Sequence, residues 1–289
     1  MPKILLEALG KLPNCRVEIL PRYDYVRGQL LPGLHTSSSL VQLRSHTSLL
    51  YRFGVMIESK DQRALQQLGQ VLASCRRLRS LAIYAYGRLD YTGEPFTSLT
   101  TVRWLSSWTD TLPRLTKLEL FNVCACLESS WRDWFKLIQW SHLRECRFSC
   151  AYFVLNGSSA LAHISSLSLH LDSSHQNWGA CCPTPHSVDA VRLALHTFHS
   201  LEILRLRNAT KVVDVSLLAR LGKTLRRLDT REDCGGDSTV QNTAPSHFSI
   251  ELILQMGSYC PHLRDLVVDA PNFGQEVCQS HAPPNLRFG

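Results

Sequence analysis

"SYCPHLRDLVVDAP", Ser258 to Pro271, sets a Cys-Pro pair just ahead of Leu263, Leu266 and Val268, apolar residues spaced three and then two apart. The spacing returns at Leu78/Leu81/Ile83, Leu115/Leu118/Leu120, Leu143/Cys146/Phe148, Ile164/Leu167/Leu169 and Leu201/Leu204/Leu206. It returns again at Leu225/Leu228, with Thr230 as a weak third member, and more faintly at Val17/Ile19, Leu40/Leu43 and Leu286. From Leu78 onward successive frames lie 21 to 38 residues apart, the window in which self-similarity marks a stacked array. Alternate side chains of a short strand share a face, so the fourth and sixth residues of each frame enter a core and the fifth points away. One such unit can hide only one face, and stacking its neighbours completes the burial.

Between frames the apolar period lengthens to that of a helix. Leu65, Leu68 and Leu72 share a helical face, as do Trp131, Trp134, Phe135 and Ile138, and Val188, Val191, Leu195 and Phe198. Ser187 is placed to cap the Val188 helix, while Gly222 and Gly257 are placed to end helices reaching Leu221 and Met256. Strand, helix and strand in alternation predict an α/β fold with parallel strands.

The segments "NCRVEI", "SCRRLRSL" and "YCPHLRDL" put Cys15, Cys75 and Cys260 at one place before the strand. With these openings and the serial leucine frames the chain resembles the irregular, cysteine-containing leucine-rich repeats of F-box/LRR proteins, especially divergent fungal ones, over nearly its whole length. The resemblance implies a leucine-rich-repeat solenoid, a horseshoe with parallel strands on the concave face and helices on the convex face. The family's Asn or Cys comes three residues after the last leucine, whereas Asn122, Asn208 and Cys150 come two after it, which predicts an uneven curve. No F-box is visible: the Leu12-Pro13 pair runs directly into a strand-like segment. We expect one irregular repeat domain over residues 1–289, with long polar loops near 87–98, 172–186 and 231–247. Frames start almost at Met1 and stop inside one at Gly289 without polar caps, as expected of part of a larger array, a shortened chain, or ends covered by something else.

Bulk properties agree. The chain has 289 residues, 44% of them hydrophobic, enough for a substantial core. Its apolar runs are far shorter than the roughly 20 residues of a membrane span, and the N-terminus makes a poor signal peptide. Eleven cysteines, odd in number and without paired spacing, read as reduced thiols. A cytoplasmic or nuclear protein is expected. The net charge of +7 comes without a basic block and with acidic residues interspersed, which reads as a mildly basic soluble surface, and the acidic Glu119, Glu145, Asp229 and Asp265 between basic strand-face residues favour a protein partner over nucleic acid.

Motifs that carry chemistry are weak. Cys124, Cys126, Cys146 and Cys150 could count as four zinc ligands, but Cys146 holds a core position of its frame. Cys181 and Cys182 with His175 and His186 lie in a polar loop that offers little preorganisation. There is no G-x-S-x-G elbow, and "LGKT" at Leu221–Thr224 lacks the upstream glycine of a phosphate loop. Trp108, Trp131 and Trp134 fall on apolar helical faces and read as core, leaving Trp140 and Trp178 less easily placed. No catalytic residue, cofactor or metal is expected.

Function then falls to the outward strand positions. Ser166, Ser168, Ile203 and Val267 are among them, and so are the expected partner-binding residues Lys117, Glu119, Glu145, Arg147, Arg205, Arg227, Asp229 and Asp265. Arg207 and Arg231 flank the same stripe, with Phe121, His170 and Asp269. Arginine offers directional contacts to carboxylates and is favoured in binding hot spots. The expectation is a non-catalytic scaffold binding a protein on its concave face. The resemblance adds a substrate-recognition subunit of a cullin-type ubiquitin ligase, joined to a Skp adaptor through an F-box not seen here. The alternative is an α/β-barrel-like enzyme with acidic residues at strand C-terminal ends, for which Asp229, Asp265 and Asp269 come nearest.

Overall fold

The computed structural model describes residues 17–19, 23–24, 29–30, 50–58, 62–86, 112–121, 123, 128–170, 188–231 and 250–268. They form two compact units, with described residues up to Leu143 in the first and from Arg144 in the second. Several expectations lie outside the described residues: the frames at Leu40 and Leu286, the three long loops apart from Arg231, the cysteines other than Cys75, Cys146, Cys150 and Cys260, and Trp108, Trp178, Ser187 and Asp269. The side chains of Leu65 and Trp131 do as well.

In the first unit β1 (Val17–Ile19), β2 (Leu50–Glu58), β3 (Ser80–Tyr86) and β4 (Lys117–Phe121) run parallel, each paired with the next. A short antiparallel pair joins Tyr23–Asp24 to Gln29–Leu30. Register puts Phe53, Leu81 and Leu118 in one row and Val55, Ile83 and Leu120 in the next, and all six are essentially inaccessible. Helix α1 (Gln62–Ser74) covers this side with Leu68, Val71 and Leu72. It ends in a tight turn in which the Leu78 N–H donates to the Cys75 carbonyl, while the Cys75 thiol donates to the Val71 carbonyl at 3.0 Å. Cysteine therefore fits here as a small apolar residue that can also satisfy a helix-end carbonyl.

Helix α2 (Glu128–Leu137) departs from expectation at one position. Trp134 is buried with Leu137 and Ile138, but Phe135 is 49% exposed. It sits at the rim of the apolar stripe, stacked at 6.2 Å on Trp140, whose indole N–H donates to the Phe135 carbonyl. Trp140 is itself buried, in a short 3-10 turn just before Leu143.

The second unit repeats the pattern with β5 (Glu145–Phe148), β6 (Ser166–His170), β7 (Ile203–Arg207), β8 (Arg227–Arg231) and β9 (Asp265–Val268), parallel and in chain order. Cys146, Leu167, Leu204, Leu228 and Leu266 form one inward row, and Phe148, Leu169, Leu206, Thr230 and Val268 the other. Apart from the half-buried Val268 at the last strand, these side chains are at most 3% exposed. Burying a leucine contributes about 1.5–3 kcal/mol, so two filled rows per strand account for the repeat's stability. The backbone repeats as well. The carbonyl one residue after the first leucine position accepts two successive N–H groups of the following repeat: Arg144 from Ser165 and Ser166, Ser165 from Glu202 and Ile203, Glu202 from Arg226 and Arg227, and Arg226 from Arg264 and Asp265. These shared acceptors lock the register at the starts of β6 to β9.

Helices α3 (Tyr152–Leu161), α4 (Val188–Leu195), α5 (Val215–Leu221) and α6 (Ile250–Tyr259) lie between the strands. Arg192 ties α4 to the chain before α5, donating to the Val212 and Lys211 carbonyls and pairing with Asp189 and Asp214. Asp214 caps α5, accepting from the Leu217 N–H at 2.8 Å. Of the two glycines expected to end helices, one does and one does not. Gly222 does follow α5 but keeps a right-handed φ of −59°, and a Cβ there would lie 2.1 Å from the Tyr259 carbonyl oxygen. Glycine is required because α6 crosses so closely. Gly257 ends nothing, since α6 runs on to Tyr259, and a Cβ there would meet open space.

Candidate binding face

In the second unit the outward positions make three registered rows. Glu145, Ser166, Ile203, Arg227 and Asp265 form the first; Arg147, Ser168, Arg205, Asp229 and Val267 the second; His170, Arg207 and Arg231 the third. The expected partner-binding residues of this unit thus share one strand face. Lys117 and Glu119 lie on the corresponding face of the first unit, at 3.0 Å from one another.

Two of the outward residues are not the exposed ones the alternation suggests. Ser166 and Ser168 are only 8% and 9% accessible. Their side chains are short and stand between longer ones, Glu145 and Ile203 on either side of Ser166, and Arg147 and Arg205 on either side of Ser168. The serines form a recessed floor between taller flanks.

Charge on this face is uneven. Five arginines stand with three carboxylates, and Asp229 is already shared: Arg231 Nε lies 3.1 Å from one of its oxygens and Arg227 3.4 Å from the other, leaving the carboxylate side chain 13% exposed. Arg227 also approaches Asp265 at 4.0 Å. Arg205 is half-buried at the centre of the middle row, and its side chain has no hydrogen bond or ion pair among the described residues. One step past β7, Asn208 adopts φ +56° and donates its N–H to the Arg231 carbonyl at 2.7 Å. Asparagine tolerates that left-handed turn better than other non-glycine residues, which accounts for its place two residues after the last leucine position.

The first unit has an aromatic feature that sequence reasoning missed. Tyr84 stacks on Phe121 with centroids 4.6 Å apart and planes within 2°, and its hydroxyl donates to Glu119 at 3.3 Å. Counting outward positions along the Leu78 frame, Ser80 then Ala82 then Tyr84, would have found it.

Three of the four described cysteines, Cys75, Cys146 and Cys260, are poorly suited to act as nucleophiles or metal ligands. Burial pushes the Cys75 thiol up to about 12 and the Cys260 thiol up to about 11. Burial also raises Cys146, with the Glu145 charge adding to it. Thiolate is the reactive and metal-binding form. Among the described residues no group of three or more possible ligands stands together, and no helix is long and apolar enough to cross a membrane.

The strand order does not close on itself: β5 and β9 stand at opposite ends of the five-strand run, unlike the strands of a barrel. The class that this fold defines is the leucine-rich repeat, of α/β type. A solved leucine-rich-repeat-containing protein, LegL7 from Legionella pneumophila, aligns with a TM-score of 0.48 and 14% identity, covering 91% of this chain and 77% of that one. The structure of the Rad7 and Elc1 complex in yeast aligns with a TM-score of 0.38 and 12% identity, over 100% of this chain and 83% of the matched chain. No family model and no curated protein matches the sequence.

Proposed function

We propose that the chain is a non-catalytic protein-interaction scaffold that holds its partner against the strand face of the second unit. The observation that carries this reading is Arg205, set at the centre of a face with five arginines and three carboxylates and left without an intramolecular partner among the described residues. A guanidinium so placed supplies directional donors to a partner's acidic groups, and mixed charge around it gives register and selectivity. Following the resemblance to F-box/LRR proteins, the finer reading is a substrate-recognition subunit of a cullin-type ubiquitin ligase, working in the cytoplasm or nucleus.

The test is affinity capture from native cell extract, with the wild-type chain and an Arg205→Gln/Arg207→Gln/Arg227→Gln variant as parallel baits. We expect proteins retained by the first to be depleted at least tenfold on the second, with the melting transition kept. Equal retention on both would remove the face from the account. A Skp adaptor in the captured set supports the ligase reading, and its absence from a set that does respond to the arginines counts against it.

A further inference from the structure

We infer that the turn before β3 and the rim beside it form a second binding surface, on the first unit and apart from the strand face, where Arg76, Arg77 and Arg114 take an acidic segment of a protein partner. After α1 the Leu78 N–H donates to the Cys75 carbonyl at 3.1 Å, which makes Arg76 and Arg77 the two central residues of a turn. Cys75 and Leu78 on either side are inaccessible, while both arginines are exposed. The turn is pinned at both ends and carries its charges outward. Arg114 is exposed as well, just before Leu115 of the following repeat. Arg79 Nη1 donates to the Arg114 carbonyl at 3.2 Å and to the Leu78 carbonyl at 3.3 Å, and the Arg79 carbonyl accepts the Thr116 and Lys117 N–H groups. Arg79 is therefore a positioning residue, whose guanidinium bridges the two rims and holds Arg114 close to the Arg76-Arg77 turn.

Folding does not call for arginine at these places. The same turn closes on Ser141 and His142 before Leu143, on Ala162 and His163 before Ile164, and on Pro261 and His262 before Leu263. Nor are the charges neutralised within the chain. Among the described residues the side chains of Arg76, Arg77 and Arg114 have no hydrogen bond or ion pair, whereas at the corresponding rim of the second unit Glu202 stands 3.6 Å from Arg226. Each guanidinium can take one carboxylate bidentately. In an extended peptide side chains on one face recur about every 7 Å, a spacing within reach of long side chains on backbones about 4.8 Å apart. Two or three acidic residues in an extended segment therefore match the cluster. A nucleic-acid backbone gains less here, because three cations displace few of its counterions.

The test measures fluorescence anisotropy of labelled hexaglutamate, hexaglutamine and oligothymidylate titrated with the full chain at low salt. Hexaglutamate should bind at least tenfold more tightly than either other probe, and should weaken as salt is added. Its affinity should fall at least tenfold in Arg76→Gln/Arg77→Gln/Arg114→Gln, with the melting transition kept, because these side chains hold nothing among the described residues; Arg79 is left in place. Arg205→Gln/Arg207→Gln/Arg227→Gln, on the strand face of the second unit, should change it less than twofold. Hexaglutamate binding that is absent, that ignores the turn variant, or that falls only in the strand-face variant overturns the inference, and so does tighter binding of oligothymidylate. The two surfaces fail separately: native partners indifferent to the strand-face variant would remove that face and leave the turn standing, whereas hexaglutamate indifferent to the turn variant would remove the turn alone.

Discussion

Replacing Thr230 with valine should stabilise the second unit. Thr230 fills a position that leucine or another apolar residue fills in most other frames, registered between Leu206 and Val268, and it is fully buried. Among the described residues its hydroxyl oxygen has no hydrogen-bond partner. A buried hydroxyl without a partner costs about 1–3 kcal/mol of desolvation, and valine keeps the β-branched shape that a strand favours. The expected gain is about 1–2 kcal/mol, a rise of a few degrees in the melting temperature. Thr224→Val is the matched control, because its hydroxyl donates to the Leu201 carbonyl at 2.8 Å across to the preceding repeat. That substitution should cost about 1 kcal/mol. Urea denaturation followed by circular dichroism reads both, with the midpoint moving and the slope unchanged if only stability changes. Loss of stability in Thr230→Val, or the same sign for both variants, would refute the assignment of Thr230 to a dry core row.

The two glycines of the α5–α6 region should part in the same way. Gly222→Ala drives a methyl onto the Tyr259 carbonyl and should cost at least about 2 kcal/mol through overpacking, while Gly257→Ala meets nothing and should gain about 0.5–1 kcal/mol of helix propensity, both read by thermal melts. At Asp214 burial alone would raise the pKa, but the Leu217 N–H, the Ser216 hydroxyl and the Arg192 and His196 charges outweigh it and hold the carboxyl below its ordinary 3.8. Its contribution is therefore complete above the ordinary carboxylate value and is lost as pH falls through the lowered one. Asp214→Ala should cost about 1 kcal/mol at pH 7, and the gap from wild type should close below about pH 4. Cys75, Cys146 and Cys260 should resist a thiol reagent at pH 8 in the folded protein and react once urea unfolds it, as mass spectrometry of labelled peptides would show.

The core was legible in the sequence because period-two burial leaves a periodic trace. Leu78, Leu115, Leu143, Ile164, Leu201 and Leu225 each announced a strand two residues on, and the structure buries all six. What the spacing could not convey was the height of neighbouring side chains. Ser166 and Ser168 occupy outward positions and are nevertheless covered, because their registered neighbours are longer and lie 21 to 37 residues away in sequence. Gly222 was placed correctly at the end of α5, but the reason for glycine there was not legible, since the group that demands it is a carbonyl at residue 259. Phe135 shows the limit of a helical wheel, which sets the direction of the stripe but not how far the partner layer extends over it. On the candidate face the sequence supplied the arginines. Which of them are occupied by Asp229, and that Arg205 is not, depends on side-chain geometry that no spacing encodes.

An aspartate scan along β7 tests the central alternation most directly. Substituting Ile203, Leu204, Arg205, Leu206 and Arg207 one at a time, and measuring the melting transition of each, should give a strict two-residue rhythm. Leu204→Asp and Leu206→Asp place a charge in a core row and should abolish the cooperative transition, at a cost of several kcal/mol. Ile203→Asp, Arg205→Asp and Arg207→Asp should melt within a few degrees of wild type. Equal damage at all five positions, or a rhythm shifted by one residue, would contradict the account.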